Sequence, residues 1–267
     1  MKNISILGAG WLGTPLAEKI LQQGHQVKVS TTTTNKQSYF EEQNIPCFVF
    51  NLDCPIEETT LHDFFKDTDI LIITIPPGKT ERIEGNYIAR IEKIIEQIQI
   101  HQIPEVIFTS STTVYYSLKG LVSEDDKVEP TSEMDRDILQ IERLLLDNQH
   151  FNASILRLGG LIGNDRHPVY YICQRELIND ANDPVNMVHQ EDIIRFVEKM
   201  ILEPIPNEIF NIVAPISLNR RDFYTQEAQR LGIGKIPTFV DNPNAKLRKV
   251  SGEKISKRYH LDYTKLI

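Results

Sequence analysis

The sequence predicts an α/β fold in which a doubly wound parallel sheet is covered by helices on both faces. Segments with strand character alternate with segments of helical periodicity over the first two hundred residues, as in chains that build parallel sheets. The strand segments 70–75 and 105–110 are largely apolar, which indicates burial on both faces. A glycine-rich turn at 8–13 joins the first strand to the first helix, where such a sheet has its first crossover.

The individual elements follow from short apolar runs and from apolar residues at helical spacing. We expect strands at 3–7, 26–30, 47–51, 70–75, 105–110 and 153–158. We expect helices at 12–23, 57–66, 82–101, 133–148 and 190–202. The helix at 82–101 has the clearest core-facing stripe, formed by Ile83, Tyr87, Ile91, Ile94, Ile95 and Ile98. In doubly wound sheets, ligands bind beyond the carboxyl ends of the strands.

The character of the chain changes after residue 159, where glycines lead into a polar stretch. A strand at 208–213 and a helix at 220–232 follow. The basic tail is expected to be a solvated surface and comprises Lys246, Arg248, Lys249, Lys254, Lys257 and Arg258. We therefore predict a nucleotide-binding domain over 1–160, to which 185–213 returns. We also predict a small α+β lobe on the substrate side, formed by 161–184 and 214–267.

Composition narrows the class of protein. The chain of 267 residues has 37 acidic and 29 basic residues and a net charge of −8, which disfavours a general nucleic-acid or anionic membrane surface. Cys47, Cys54 and Cys173 are too few and too scattered for a disulfide framework or a zinc site, so we predict no metal and a reduced, cytoplasmic location. Neither a signal peptide nor a run of about 18 apolar residues is recognisable.

The glycine turn reads Gly8-Ala9-Gly10-Trp11-Leu12-Gly13, and in its strand–helix context it predicts a dinucleotide site of the Rossmann type. Gly8 permits the tight turn, Gly10 lets the backbone approach a pyrophosphate, and Gly13 lets helix and strand pack closely. Trp11 and Leu12 lead into the helix, whose first N–H groups attract phosphate. The alternative is a glycine-rich turn that binds no ligand.

The end of the second strand bears on the choice of nucleotide. A site for NAD usually has a carboxylate about 20 residues past the glycines. Here Ser30, Thr31 and Thr32 occupy this place, followed by Lys36, and the next carboxylate after Glu18 is Glu41. Hydroxyl groups and a cation suit a ribose 2′-phosphate. The sequence therefore favours NADP over NAD, although Lys36 also fits a solvated loop lysine.

The third and fourth strands end in further candidate cofactor residues. Asp53 is placed to accept a hydrogen bond from the adenine amino group, with a helix cap or turn as the alternative. Thr74, Pro76 and Pro77, together with Gly78, end the fourth strand, where the loop would pass the nucleotide. The two prolines also suffice to end the strand.

The fifth strand reads VIFTSSTTVYYS at 106–117. With the glycine turn, it resembles the extended short-chain dehydrogenase/reductases, the NAD-dependent epimerase/dehydratase family. The likeness continues through ILRLGGLIG at 155–163 and VNMVHQEDIIRFV at 185–197. In these details the chain resembles an atypical branch of the family that is similar to nucleoside-diphosphate-sugar epimerases. The resemblance implies that Ser111 hydrogen-bonds the substrate at the nicotinamide. The alternative role of Ser111 is to cap the following turn.

The chain departs from the family pattern on the helix at 133–148. The family's catalytic Tyr and Lys transfer the proton of the reaction. Their positions correspond to Met134 and Ile138 in this chain, whose side chains cannot transfer a proton. Tyr115 lies four residues before Lys119 but follows the strand directly, so this Tyr-x-x-x-Lys string is interpreted as a chance match. Tyr115 is still expected to line the mouth of the site, as the best remaining phenol.

Five further polar residues lie near these motifs. Asp135 and Arg136 are most simply solvated residues of a first helical turn, and Asp192 and His189 most simply a cap and a packed histidine. Arg157, at the end of the sixth strand, faces either the substrate cavity or the C-terminal lobe.

Three functions remain open. The first is an NAD(P)-dependent oxidoreductase or epimerase-like enzyme with Ser111 and Tyr115 at its centre, acting on a small molecule such as a nucleotide-sugar. The second is an NAD(P)-binding module or redox sensor without catalysis. The third is a β-hydroxyacid-type dehydrogenase, whose N-terminus the stretch at 8–27 also resembles. A monomer and a homodimer are both compatible with the chain.

Overall fold

A computed structural model describes residues 1–77 and 86–264. The first residues of the predicted helix at 82–101, including Ile83, and the predicted cofactor neighbour Gly78 lie outside the described residues. The strands are β1 (Asn3–Leu7), β2 (Gln26–Thr31), β3 (Cys47–Val49), β4 (Ile70–Ile73), β5 (Glu105–Ser111), β6 (Leu121–Val122), β7 (Asn152–Leu158), β8 (Gly160–Ile162), β9 (Leu177–Ile178), β10 (Met187–His189), β11 (Glu208–Ile212), β12 (Thr238–Phe239) and β13 (Lys249–Val250).

The helices alternate with these strands. They are α1 (Gly13–Gln22), α2 (Gln37–Glu42), α3 (Glu58–Phe65), α4 (Asn86–Ile100), α5 (Glu133–Leu146), α6 (Pro168–Ile172), α7 (Gln190–Met200), α8 (Arg220–Arg230) and α9 (Glu253–Tyr259). Every strand and helix predicted from the sequence is found, with ends that differ by a few residues. The short elements α2, α6, α9 and the strands of two or three residues after β5 were not predicted.

Seven strands form the parallel central sheet, in the order β11-β7-β5-β4-β1-β2-β3. The order reverses beside β1, which pairs with β2 on one side and with β4 on the other. Leu7, the last residue of β1, lies opposite Ser30 of β2 and Ile73 of β4. The predicted doubly wound fold of the Rossmann type is confirmed, and the reversal marks the edge at which such folds bind ligands.

The chain divides into two compact units. The first comprises Met1–Ser110, Pro130–Leu156 and Val197–Ile209, and the second comprises Ser111–Glu129, Arg157–Phe196 and Phe210–Ile267. The domain boundaries expected from the sequence differ from these divisions and stay a prediction.

The core of the first unit joins strands to helices α4 and α5. Ile91, Ile94 and Ile98 of α4 are buried against Ile141 and Leu145 of α5 and against the apolar strand residues. The stripe expected on this helix therefore faces the core, as its spacing predicts. This packing fixes the first turns of α4 beside the carboxyl ends of β3 and β4.

The second unit has a core of its own around α6 and α8, formed by Ile162, Val169, Ile172, Cys173, Ile178, Val185, Ala214, Ile216, Phe223, Tyr224 and Ala228. Three small parallel sheets belong to this unit, namely β8 with β10, β9 with β12 and β6 with β13. Their strands are too short to have a recognisable sequence pattern.

His167 links α6 to α8 inside the second unit. Its Nδ1 accepts a hydrogen bond from the N–H of Val169 at 3.1 Å, and its Nε2 lies 3.1 Å from a carboxylate oxygen of Glu227. Arg230 binds the same carboxylate. Burial lowers the pKa of His167, although Glu227 opposes this shift, and Arg230 and His189 add to it. The folded protein therefore favours the neutral imidazole.

A depressed histidine pKa destabilises the folded protein at acidic pH. Above the ordinary histidine pKa of about 6.5, His167 does not lower the free energy of unfolding. Below that pH the free energy of unfolding declines, because His167 binds the proton more tightly in the unfolded chain than in the folded protein. His167→Asn keeps an acceptor for the N-terminus of α6 and removes the titrating ring. We expect the free energy of unfolding of H167N, measured by urea denaturation, to fall less steeply with acidification.

A matched control is His260→Asn, which changes an exposed histidine at the left-handed C-cap of α9, a position that asparagine tolerates. His25, whose pKa burial also lowers, leaves a residual slope in both variants. Identical slopes for H167N and the unmodified protein would refute this role of His167.

Candidate nucleotide site

A cleft of about 520 Å³ opens in the first unit at the carboxyl ends of β1, β2, β3 and β4. Its walls are residues 7–10, 30–33 and 36, 50–53, and 74–76, together with Arg90 of α4. The cleft therefore contains these predicted cofactor residues: Gly8, Gly10, Ser30, Thr31, Thr32, Lys36, Asp53, Thr74 and Pro76. Trp11, Leu12, Gly13 and Pro77 were also predicted but do not belong to its walls.

The glycine turn is held from both neighbouring strands. Gly8 has a φ of 106°, which an L-residue with a side chain rarely adopts. Ser30 accepts hydrogen bonds from the Gly8 N–H through its hydroxyl at 3.1 Å and from the Ala9 N–H through its carbonyl at 2.7 Å. From the other side, the Thr74 hydroxyl donates to the Gly8 carbonyl at 2.6 Å. Ser30 and Thr74 therefore support the turn directly.

The glycines of the turn have different steric surroundings. A methyl group on Gly13 would collide with the carbonyl oxygen of Gly8, so Gly13 is required for the packing of α1 against the turn. A methyl group on Gly10 would meet no described atom within 4 Å. The exposed backbone of Gly10 thus borders open space in the cleft, and this space fits a pyrophosphate that approaches the main chain.

The N-terminus of α1 begins directly after this turn. Among the described residues, its N-cap Leu12 makes no side-chain cap hydrogen bond. The first N–H groups of a helix have no acceptor within the helix, and together with the helix dipole they favour an anion. The backbone of Trp11, Leu12 and Gly13 is therefore suited to phosphate, although these residues do not line the cleft.

Lys36 reaches back across the glycine turn from the segment after β2. Its ammonium group donates to the Ala9 carbonyl at 2.8 Å and approaches the Thr14 hydroxyl at 3.4 Å. The hydroxyls of Thr31 and Thr32 belong to the same wall of the cleft. Lys36 is thus anchored rather than a solvated loop lysine, and its charge is available beside three hydroxyl groups.

Asp53 forms an ion pair at the opposite wall. Arg90 Nε donates to Asp53 Oδ1 at 2.6 Å, and Arg90 Nη2 lies 2.5 Å from Asp53 Oδ2. Arg90 belongs to no sequence motif. It lies 37 positions after Asp53 in the chain, and the two residues meet only in the folded structure. The sequence signal that points to Arg90 is its position on α4 next to the stripe residue Ile91. A cation at the border of an apolar stripe lies at the edge of the core, where its charged group can reach a site.

Ser111 ends β5 and belongs to the second unit. Its hydroxyl oxygen accepts a hydrogen bond from the Thr113 N–H at 3.2 Å and so caps the following short 3₁₀ turn. Capping occupies one lone pair of the hydroxyl and leaves its proton to be donated elsewhere. The preceding Ser110 donates to the buried Glu142 at 2.6 Å within the first unit.

Tyr115 does not line a site mouth, and this prediction is wrong. Its side chain is 0% exposed. Its hydroxyl donates to Asn211 Oδ1 at 2.9 Å and accepts from Arg157 at 2.7 Å. Burial raises the pKa of Tyr115, although Arg157 opposes this shift. Tyr115 and Arg157 therefore form part of a buried polar network of the second unit.

The start of α5 provides capping groups rather than a proton-transfer pair. Ser132 accepts from the Asp135 N–H at 3.1 Å, and the buried Asp135 accepts from the Thr131 hydroxyl at 2.7 Å. Asp135 is thus not a solvated residue, in contrast to Arg136, which is exposed. Ile138 is buried and Met134 is half-buried.

The polar residues at the start of α7 also have structural partners. His189 Nδ1 accepts from the Glu191 N–H at 3.2 Å. Asp192 is completely buried and accepts from Arg195 and from the backbone and hydroxyl of Thr264. Within the part of the chain that the structure describes, no group of three or more His, Cys, Asp or Glu side chains is arranged to hold a metal ion.

Comparison with known proteins adds to this geometry. A family model described as NAD(P)H-binding matches residues 8–204. The chain belongs to this NAD(P)H-binding family. Protein YeeZ of Escherichia coli strain K12 is 31% identical over 268 residues, which cover 98% of this chain and 96% of YeeZ. The nicotinamide cofactor expected from the glycine turn is therefore supported by both the motif and the family.

Solved structures share the fold of this NAD(P)H-binding protein. UDP-glucuronic acid 4-epimerase from Bacillus cereus, in complex with NAD, has a TM-score of 0.81 and 18% identity over 99% of this chain and 94% of the epimerase. A short-chain dehydrogenase/reductase superfamily protein from Agrobacterium tumefaciens with bound NAD has a TM-score of 0.78 and 13% identity over 98% and 92% of the two chains. The fold expected from the resemblance to atypical short-chain dehydrogenase/reductases and epimerases is confirmed. No helix in the described ranges has the length and hydropathy that a membrane span requires.

The steric difference between two glycines predicts separable effects of alanine substitution. Gly13→Ala forces α1 away from Gly8 and is expected to lower the free energy of unfolding by about 2 kcal/mol. Gly10→Ala fits the backbone and is expected to change stability by less than about 1 kcal/mol. Its methyl group occupies the open space of the cleft, so cofactor affinity should fall at least about tenfold.

Urea denaturation and cofactor fluorescence titration of both variants measure these effects. The assignment of Gly10 to the phosphate contact is refuted by a folded G10A protein that binds the cofactor with unchanged affinity.

Proposed function

We propose that this chain is an NADP-preferring oxidoreductase, built like the sugar-nucleotide epimerases, that acts on a small-molecule substrate. The observation that carries the proposal is the cleft at the glycine turn, where open backbone and an anchored cation lie at the carboxyl ends of the strands. When bound, a nicotinamide cofactor supplies hydride chemistry, and the residues of the cleft bind and orient it.

Each part of the cofactor has a counterpart in the cleft. The backbone of Gly10 and the N-terminus of α1 would hold the pyrophosphate. Thr31, Thr32 and Lys36 would hold the adenosine ribose, and the ends of β3 and β4, with Asp53 and Pro76, would hold the adenine. This arrangement follows the strand order, since the nucleotide crosses the sheet edge at its switch point.

The preference for NADP rests on the wall formed after β2. Residues 30–36 contain no carboxylate, so a ribose 2′-phosphate meets no like charge there. Lys36 gains a phosphate oxygen in place of the neutral Ala9 carbonyl, and charge-assisted hydrogen bonds are the stronger kind. The neighbouring hydroxyls donate further hydrogen bonds.

Ser111 is the proposed contact to the substrate. Its hydroxyl proton is available to a carbonyl or hydroxyl oxygen of the substrate while its lone pair caps the following turn. Neither Met134 nor Ile138 can hold or move a proton, so these two positions supply no general acid or base for the reaction. We therefore expect slow turnover.

A second candidate is a cofactor-binding module without catalysis. Met134 and Ile138, together with the buried and engaged phenol of Tyr115, favour it.

The named activity of the Bacillus cereus neighbour, 4-epimerisation of UDP-glucuronic acid, suggests nucleotide-sugars as the first substrates to test. We further propose a cytoplasmic protein that is a monomer or a homodimer.

The role of Lys36 predicts a selective loss of affinity. Lys36→Ala should weaken NADPH binding about tenfold, as the loss of one charge-assisted contact does, and should change NADH binding less than about twofold. Fluorescence titration of both reduced cofactors measures this. Lys19→Ala, on an exposed face of α1, is the matched control and should bind like the parent. Tighter binding of NADH than of NADPH by the parent contradicts the proposed preference.

The role of Ser111 predicts a loss of turnover without a loss of cofactor binding. Ser111→Ala should reduce the NADPH oxidation rate with carbonyl or nucleotide-sugar substrates about a hundredfold, the scale for one oriented hydrogen bond to a reacting oxygen. Tyr115→Phe should lower the melting temperature and change the rate less, because its hydroxyl serves the buried network. Cofactor binding without turnover of any substrate supports the binding module instead.

A further inference from the structure

The cleft has two chemically different ends. The wall after β2 is polar, with hydroxyl groups and Lys36. The wall formed by the ends of β3 and β4 is largely apolar, with Phe50, Leu52, Ile75 and Pro76. Arg90 is the charged side chain that α4 adds to this apolar end. A planar cation beside apolar walls is suited to the face of an aromatic base.

All three nitrogen atoms of the Arg90 guanidinium face protein oxygens. Nε and Nη2 bind the two oxygens of Asp53, and Nη1 lies 3.5 Å from the carbonyl of Pro77. The side chain is 17% exposed. These contacts engage three of the five N–H groups of the guanidinium and fix the plane of the group. What it offers to a ligand is the flat face of the guanidinium group.

The helix that bears Arg90 is fixed to the same two strand ends. One turn before it, the Tyr87 hydroxyl donates to the Ile75 carbonyl at 3.0 Å. One turn after it, the Lys93 ammonium group donates to the Leu52 carbonyl at 3.1 Å. Arg90 is thus held on a rigid element, so a stacking partner would be ordered before the ligand arrives.

We propose that the guanidinium face of Arg90 is the platform on which the adenine ring of the cofactor stacks, and that Asp53 anchors Arg90. This inference rests on the proposed cofactor binding. It assigns Arg90 a role that the sequence did not reveal. It assigns Asp53 to anchoring Arg90 instead of accepting a hydrogen bond from the adenine amino group, since each carboxylate oxygen already accepts one from the guanidinium.

The test compares NADPH with its hypoxanthine analogue, whose base lacks the amino group, by fluorescence titration. Stacking needs only the ring, so the parent protein should bind both within about twofold. Arg90→Ala should weaken both about tenfold. Arg90→Lys should behave like R90A, because lysine keeps the charge but has no planar face. Asp53→Asn should weaken both ligands equally, by about threefold, because it loosens the anchor.

The matched control is Lys19→Ala, which removes an exposed cation of α1 outside the cleft walls. It should bind both ligands like the parent, and melting temperatures confirm that each variant is folded. The proposal is overturned if R90K binds like the parent, if R90A loses no affinity, or if the parent discriminates against the hypoxanthine analogue about tenfold. A parent that binds neither nucleotide refutes the proposed function itself.

Discussion

The close approach of α1 to the end of β1 is the constraint on which the cleft depends. Gly13 packs against the Gly8 carbonyl with no space for a side chain. The same carbonyl accepts a hydrogen bond from the hydroxyl of Thr74, the residue after β4, while Ser30 of β2 accepts one from the N–H of Gly8. The sheet register makes these contacts possible, since Leu7 lies opposite Ser30 and Ile73. The shape of the phosphate site is therefore set by both neighbours of β1.

The features that the sequence predicted are those with local causes. The glycine turn, the apolar strands and the stripe of α4 each depend on residues within one or two turns of chain. Arg90 depends on something else, namely the packing of its helix beside Asp53, which lies 37 positions earlier in the chain. Tyr115 likewise depends on Asn211, 96 positions away. The residues next to Tyr115 in the sequence predict only that it lies near the strand end. Its hydrogen bonds to Asn211 and Arg157 hold the side chain in the interior of the second unit.

The missing proton-transfer pair and the intact cofactor cleft have different structural supports. Helix α5 has an N-cap, buried acidic residues and a core face, so its packing accommodates Met134 and Ile138 at the positions where the family resemblance implies Tyr and Lys. The nucleotide wall is built from β1 to β4 and α4, none of which requires a tyrosine or lysine on α5. Cofactor binding can therefore persist in this fold whether or not catalysis does, and only turnover measurements separate the two.

The charges of the cleft are held in place by the protein itself. Among the described residues that line it, Lys36 and Arg90 are cationic and Asp53 is anionic, in a chain whose net charge is −8. Long cationic side chains lose conformational entropy when a ligand immobilises them, but here the Ala9 carbonyl and Asp53 already fix them. The two cations are held by different partners. Lys36 binds the neutral Ala9 carbonyl, which a phosphate oxygen readily replaces. Arg90 binds the Asp53 carboxylate, and separating this ion pair would leave the carboxylate charge without its cation. We therefore assign the proposed phosphate recognition to the Lys36 wall and the proposed stacking of the base to the Arg90 wall.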